Sequence, residues 1–140
     1  MTDFQRRAST QGRQFEEICR TVLTAAGFDC RDKKRIVDLQ IEVDIPAVSS
    51  TGIEYWFNCK GSWFGDRPGL RRTDTLKKAI AEAYVARYAG DFPSVVLLTS
   101  HLPKNSGALW LSILNGSVFH DVICINDPED VRRLSKLGAV

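Results

Sequence analysis

The segment from residue 41 to residue 60 constrains the fold more than any other part of this 140-residue chain. Apolar residues alternate at Ile41, Val43 and Ile45, which is typical of a half-buried strand. The run from Ser49 to Gly52 follows and supplies turn chemistry. The next stretch, residues 54–60, is rich in aromatic residues, which favour extended structure. These patterns predict two strands that pair as an antiparallel hairpin.

The two faces of this hairpin are expected to carry different chemistry. Successive side chains of a strand point to opposite faces, so Glu42 and Asp44 would share one face of the first strand. On the second strand one face would take Glu54, Trp56, Asn58 and Lys60, and the other Tyr55, Phe57 and Cys59. A register that sets Asp44 beside Asn58 would bring Asp44, Asn58 and Lys60 together. An acid and a lysine on paired strands can equally form a simple cross-strand pair.

This spacing resembles that of the PD-(D/E)XK nucleases, in which an Asp and a following Glu-x-Lys unit build a metal site on two neighbouring strands. In this chain the unit reads Asn58-Cys59-Lys60, with Asn in place of Glu. The resemblance implies a deoxyribonuclease that uses Mg²⁺, with Mn²⁺ possible as a substitute. It implies metal binding by Asp44, Asn58 and the backbone carbonyl of Cys59, and contact of Lys60 with the attacking water.

Asn58 leaves the activity open, because an amide oxygen can ligate a metal but carries no charge. Three interpretations remain at this point: an active variant site, an inactive relative that binds DNA, or a chain altered to abolish cleavage. Glu42, two residues from Asp44, is a better candidate to compensate for the missing carboxylate than Glu54, which lies four residues from Asn58.

A helix is predicted ahead of the hairpin. Its apolar stripe consists of Phe15, Ile18, Cys19, Val22, Leu23 and Ala26, and Gly27 ends it. The opening Gly12-Arg13-Gln14-Phe15-Glu16 also resembles the family, which implies that Glu16 acts at the metal site directly or through water. Glu17 is the fallback for that role.

The remaining elements complete the predicted fold. Thr73 or Asp74 would cap a helix whose core face carries Leu76, Ile80, Ala83 and Tyr84. Residues 94–99 read as a strand buried on both faces, residues 122–125 as another, and residues 127–137 as a last helix. The first core strand is either residues 35–40 alone or a strand that runs on from residues 35–40 into the stretch 41–45. The order resembles the restriction-endonuclease-like αβββαβ core over roughly residues 12–126, so the predicted class is α/β, a mixed sheet flanked by helices.

Basic residues cluster directly after Lys60. They add sequence-independent affinity for phosphates, and Trp63 in the same loop could stack on a base or fold back on the core. Nucleic-acid binding is therefore assigned to Arg67, Arg71, Arg72, Lys77, Lys78 and Trp63. The basic stretch Arg31 to Arg35 is interpreted as a solvated turn.

Length and composition predict a single domain over residues 1–140. No signal peptide or membrane-spanning run is apparent. The four cysteines show no CxxC pairing, and Cys19, Cys59 and Cys124 lie within apolar segments, which indicates core thiols and a reducing, cytoplasmic location. The expected partner is DNA, with a homodimer possible. The predicted function is a DNA-binding metal-dependent endonuclease or a disabled variant of one. The alternative is a catalytically inactive module that binds nucleic acid or protein on the same fold.

Overall fold

The computed structural model describes residues 3–62 and 67–140, and within them four helices and seven strands alternate along the chain. In chain order they are α1 (Asp3–Ala25), β1 (Asp29–Cys30), β2 (Lys34–Ile36), β3 (Ile41–Val43), β4 (Ile45–Val48), β5 (Glu54–Lys60), α2 (Thr73–Tyr88), β6 (Ser94–Thr99), α3 (Ser106–Leu114), β7 (Asp121–Cys124) and α4 (Pro128–Gly138). Short 3-10 turns at Val37–Leu39 and Gly69–Arg71 precede β3 and α2.

The main sheet has five strands in the order β1-β4-β5-β6-β7. β1, β4 and β5 pair antiparallel, whereas β5, β6 and β7 run parallel. One face packs against α1 and α4 through residues such as Phe15 and Leu134, and the other against α2 and α3 through Leu76 and Leu111. The predicted α/β class, with a mixed sheet between helices, is confirmed.

Strands β5 and β6 follow their sequence patterns. Trp56 packs in the core under α2, while Tyr55 and Phe57 pack in the core under α1, as the period of two requires. β6 is buried from its second residue to its last, which matches its continuous apolar run. The β5–β6 pair therefore forms the centre of the domain, with a core cluster on each side.

The stretch 41–45 is not one strand, and the prediction of a continuous alternation there is wrong. β3 and β4 are separate strands, with Asp44 at a bend between them. Ile41 and Val43 pack on the α2 side of the sheet, but Ile45 packs on the α1 side. The cause is that β3 leaves the main sheet to pair with β2 in a two-stranded sheet of its own.

The first strand of the main sheet is β1, not residues 35–40. Asp29 and Cys30 pair with Val48 and Ala47 of β4, whereas residues 34–36 form β2 outside the main sheet and residues 37–39 form a 3-10 turn. β1 is only two residues long, too short for an alternating pattern to reveal it.

The helix ends differ in detail from the predictions. α1 begins at Asp3, nine residues before Gly12, and ends ahead of Gly27, which has a φ of 98° as expected of a helix-terminating glycine. Arg72, not Thr73 or Asp74, is the N-cap residue of α2. Tyr84, predicted to face the core, is exposed. α4 begins as predicted, because the Asp127 carboxylate accepts the Glu129 N–H at 2.9 Å.

Two glycines provide a matched test of how α1 and α4 pack. A Cβ on Gly138 would overlap the backbone carbonyl oxygen of Ala26 and approach the ring of Phe28, whereas one on Gly12 would meet nothing within 4 Å. We expect Gly138→Ala to lower the free energy of unfolding by about 1–3 kcal/mol, since the helices must move apart. Gly12→Ala, in an exposed part of α1, should raise it by about 0.5–1 kcal/mol. Urea denaturation of both variants checks this, and an unchanged Gly138→Ala variant would contradict the close approach.

Candidate active site

The bend at Asp44 interrupts the backbone hydrogen bonding of the sheet, and the Asp44 side chain replaces the missing acceptor. The β4–β5 register pairs Ile45 with Phe57, so Asp44 comes next to Asn58. Because the chain turns away at this point, the Cys59 N–H meets no strand partner and donates instead to Asp44 Oδ2 at 2.8 Å. The N–H and C=O of one residue point to the same side of a strand, so the carbonyl of Cys59 also faces the Asp44 side.

The side chain of Asn58 makes a second hydrogen bond at the same bend, to the backbone of Asp44. Its Oδ1 accepts the Asp44 backbone N–H at 3.4 Å, and the residue is 95% buried, with a relative exposure of 5%. Asp44 and Asn58 are therefore adjacent, as the predicted register requires. The amide oxygen already has a donor, however, and Asn58 contributes no charge to the site. Its assigned role as a metal ligand stays a prediction.

Three carboxylates near the bend, including that of Asp44, surround the ammonium group of Lys33. Lys33 Nζ lies 3.0 Å from Glu42 Oε1, 3.2 Å from Glu16 Oε2 and 3.9 Å from Asp44 Oδ1. These acids come from α1, β3 and the bend. The α1 acid predicted for the site, Glu16, is thus placed beside Asp44, while the fallback Glu17 is exposed to solvent.

Lys60 lies at the end of β5 and is oriented by an acid of α2. Its Nζ donates to Glu82 Oε1 at 3.4 Å, and both side chains are largely shielded, with 20% and 15% exposed. The positive charge of Lys60 lowers the pKa values of both Asp44 and Glu42. Lys60 is therefore within electrostatic reach of the carboxylate group around the bend.

The electrostatics of the group set Asp44 apart from its neighbours. Burial raises the pKa of Asp44 above its ordinary value, and the negative charge of Glu16 adds to this, although the Cys59 N–H, Lys60 and Lys33 act in the opposite direction. Glu42 behaves differently, because its hydrogen bond to Lys33 lowers its pKa. The pKa of Lys33 is raised overall. Burial is the largest single effect and lowers this pKa, but the hydrogen bonds to Glu42 and Glu16 act in the opposite direction.

Asp44→Asn is expected to stabilise the protein at neutral pH. A raised pKa means that the ionised carboxylate is unfavourable in the folded state, so the isosteric amide should raise the free energy of unfolding by on the order of 1 kcal/mol. The gain should be complete above the folded pKa of Asp44 and vanish as the pH falls below its ordinary value of 3.8. Urea denaturation from pH 3 to pH 8 measures it; a variant less stable at pH 7 would show that the carboxylate stabilises the fold.

Two residues of this site were missed by the sequence reasoning. The stretch Arg31 to Arg35 is exposed, as a solvated turn would be, but that interpretation gave no role to Lys33, which contacts the three carboxylates. Glu82 had a usable signal, since it lies three residues after Ala79 and four before Ala86, two of the buried positions of α2. An acid on the apolar stripe of a helix is expected to have a partner. Lys33 carried no such signal, because it lies outside regular structure.

The residues assigned to nucleic acid divide between several places. Arg67 and Arg71 line one pocket, at the start of α2, and Lys77 lines a separate groove with Tyr84 and Trp110. Arg72 and Lys78 are exposed on the same segment. Trp63 lies outside the described residues. Their contact with nucleic acid stays a prediction.

The donor chemistry around Asp44 fits a hard cation such as Mg²⁺, which prefers oxygen ligands. In the structure, however, the cation that the carboxylates of Glu42, Glu16 and Asp44 surround is the ammonium of Lys33. Within residues 3–62 and 67–140, no three His, Cys, Asp or Glu side chains are arranged to hold a metal ion.

Comparison of the chain with protein-family models, curated proteins and solved structures finds no match. None of the helices in the described part of the chain has the length and apolar character needed to cross a membrane. The four cysteines, Cys19, Cys30, Cys59 and Cys124, are free thiols.

Proposed function

We propose that this protein is a metal-dependent deoxyribonuclease of the PD-(D/E)XK type, with its active site at the bend between β3 and β4. The observation that carries the proposal is that Asp44 and Glu16 both contact the ammonium of Lys33, with Lys60 close enough for its charge to lower the pKa of Asp44. Carboxylates can hold a divalent ion, and a lysine can stabilise the charge that develops on phosphate oxygens, so these residue types suit hydrolysis of a phosphodiester. The fold class alone would not support an activity.

The order of the elements supports the family assignment. If the two-stranded sheet of β2 and β3 is treated as an insertion, the chain runs α1, β1, β4, β5, α2, β6. This is the αβββαβ order of the proposed family. Asp44 then stands at the start of the second strand of this core and Lys60 at the end of the third.

Each protein group has a distinct part in the proposed reaction. Asp44 is held by the Cys59 N–H through one oxygen, which leaves Oδ1 toward the acid cluster. Lys60, oriented by Glu82, would hold the attacking water and stabilise the negative charge that develops on the phosphate oxygens. Glu16 would act beside Asp44, directly or through water.

Asp44, Glu16 and the carbonyl of Cys59 are the groups that would hold Mg²⁺, with the amide oxygen of Asn58 next to them. The ion would supply Lewis-acid activation of the phosphate and lower the pKa of a bound water. Mn²⁺ is expected to substitute for it, because it also accepts oxygen ligands.

Two features favour a second candidate function, an inactive module that binds nucleic acid. Asn58 removes a carboxylate from the site, and the ammonium of Lys33 takes up the charge of the carboxylates that remain. A chain with this arrangement could bind DNA through its basic segment without cutting it. Binding of protein instead of nucleic acid has no specific observation in its favour.

The proposal also includes a cellular location and an oligomeric state. The free thiols are compatible with a reducing, cytoplasmic location. A homodimer remains a prediction.

A cleavage assay across single-stranded, duplex and branched DNA, with Mg²⁺ and with Mn²⁺, tests the proposal. We expect metal-dependent cleavage that Lys60→Ala abolishes. Lys136→Ala, which removes the same charge from an exposed position on α4, is the matched control and should cut normally. Binding without cleavage, weakening as salt rises, would favour the second candidate. Absence of both cleavage and salt-dependent binding would contradict both functions.

A further inference from the structure

A pocket of about 410 Å³ opens between the starts of α2 and α3. Three basic side chains line it: Arg67, Arg71 and Lys104. The first residues of the two helices, Thr73 and Ser106, line it as well. None of the described residues in its wall is acidic. The pocket is therefore a concave surface that combines three formal positive charges with hydroxyl and backbone donors.

The starts of the two helices lie close together and add to this positive character. A Cβ on Gly107, in the first turn of α3, would come within 2.8 Å of the Leu76 side chain and 2.9 Å of Pro103, so the backbone of α3 packs against a side chain from the first turn of α2. The N-cap side chains Arg72 and Asn105 make no capping hydrogen bond. Helix starts with this geometry favour anions, and here they reinforce the basic side chains.

The pocket lies at the same edge of the sheet as Lys60. α2 and α3 follow β5 and β6, two neighbouring parallel strands, so both helices start at the carboxyl ends of those strands. The Thr99 hydroxyl donates to the Lys60 carbonyl at 2.8 Å, and the Leu70 N–H donates to the His101 carbonyl at 3.0 Å. These bonds join the end of β5, the end of β6 and the wall of the pocket. The crevice outside the carboxyl ends of parallel strands is a common place for ligands in α/β domains.

An aromatic surface adjoins the charged one. Trp110 lines the pocket and is 37% exposed. It also lines the neighbouring groove with Tyr84 and Lys77. An exposed aromatic ring beside a phosphate-binding surface is suited to stacking against a nucleobase. Charge and ring together match a nucleotide better than they match an isolated inorganic anion.

We propose that this pocket binds the terminal phosphate monoester of a nucleic-acid strand, with the end nucleotide against Trp110. A monoester carries roughly 1.5 to 2 negative charges near pH 7, whereas an internal phosphodiester carries one and continues as a chain on both sides. Three cations around one concave pocket match the first better than the second. The identity of the polymer rests on the proposed function, but binding does not depend on cleavage.

The test is fluorescence anisotropy with one single-stranded oligonucleotide made in three forms, carrying a 5′-phosphate, a 3′-phosphate or neither, in EDTA so that no cleavage occurs. We expect one phosphorylated form to bind roughly tenfold or more tightly than the hydroxyl form. The other phosphorylated form identifies which end is recognised. Inorganic phosphate added as a competitor should reduce the preference.

The double variant Arg71→Ala/Lys104→Ala should lose this preference. Arg132→Ala/Lys136→Ala removes one Arg and one Lys from exposed positions on α4 and should keep it. All four side chains are exposed, so the fold should survive, which thermal denaturation checks. Equal binding of the three oligonucleotides by the wild type, a preference that survives in the pocket variant, or an equal loss for all three forms would each overturn the proposal. Failure of the nuclease proposal would appear instead as absent cleavage in Mg²⁺, with the end preference intact.

Discussion

Asn58→Asp is expected to make the stability of the protein depend on Mg²⁺. The substitution is isosteric but introduces a second carboxylate beside Asp44 at a position 95% buried, with a relative exposure of 5%. Without metal, the free energy of unfolding should fall by about 1–3 kcal/mol, because the added charge is buried beside the like charge of Asp44. Millimolar Mg²⁺ should restore it, since a ligand that binds only the folded state stabilises that state. DNA cleavage should rise roughly tenfold or more as a second anionic ligand becomes available.

Urea denaturation with and without Mg²⁺, together with calorimetric Mg²⁺ titration and a cleavage assay, measures these effects. Asn126→Asp is the control, because the Asn126 amide also makes a hydrogen bond, to the Ser100 carbonyl at 2.8 Å. That variant should lose stability without any rescue by Mg²⁺. If Mg²⁺ stabilises Asn58→Asp no more than the wild type, residue 58 does not ligate metal. The longer Asn58→Glu variant tests the same position with the residue of the family motif.

Lys33→Met is expected to strengthen Mg²⁺ binding. The ammonium of Lys33 lies within 4 Å of three carboxylates and competes with any cation for them. Removing this like charge should raise Mg²⁺ affinity by roughly tenfold after allowance for solvent screening. Without metal, the variant should lose less than about 1 kcal/mol at pH 7, because Lys33 is 46% exposed.

That loss should depend on pH in a defined direction. The hydrogen bond from Lys33 lowers the pKa of Glu42, so its stabilising contribution is present above the ordinary carboxyl value of 4.5 and disappears as the pH falls through the folded pKa. Denaturation at pH 7 and pH 3 therefore complements the calorimetry. Lys34→Met is a matched control, since Lys34 is the next residue but lies over the Trp56 ring at 5.7 Å. If both variants bind Mg²⁺ like the wild type, Lys33 does not compete for the site.

The positions of Asn58 and Lys60 could be predicted from alternation alone. β5 is long, and its aromatic residues alternate between two cores, so its two faces are distinguishable in the sequence. Asp44 was predicted as part of a strand and is in fact the bend between two. The pairing of β3 with β2 decides this, and short pairings of three residues leave no periodic signal.

The sequence by itself determined the strands with strong patterns, the α/β class, and the acid and lysine that define the candidate site. Those properties follow from local periodicity, which each segment carries within itself. Only the tertiary structure decided that Lys33 meets the three carboxylates, that Glu82 orients Lys60, and that α2 and α3 start at one pocket. Each of these contacts joins side chains far apart along the chain, and their distances depend on how whole elements pack. The spacing of residues along one segment therefore could not predict these contacts.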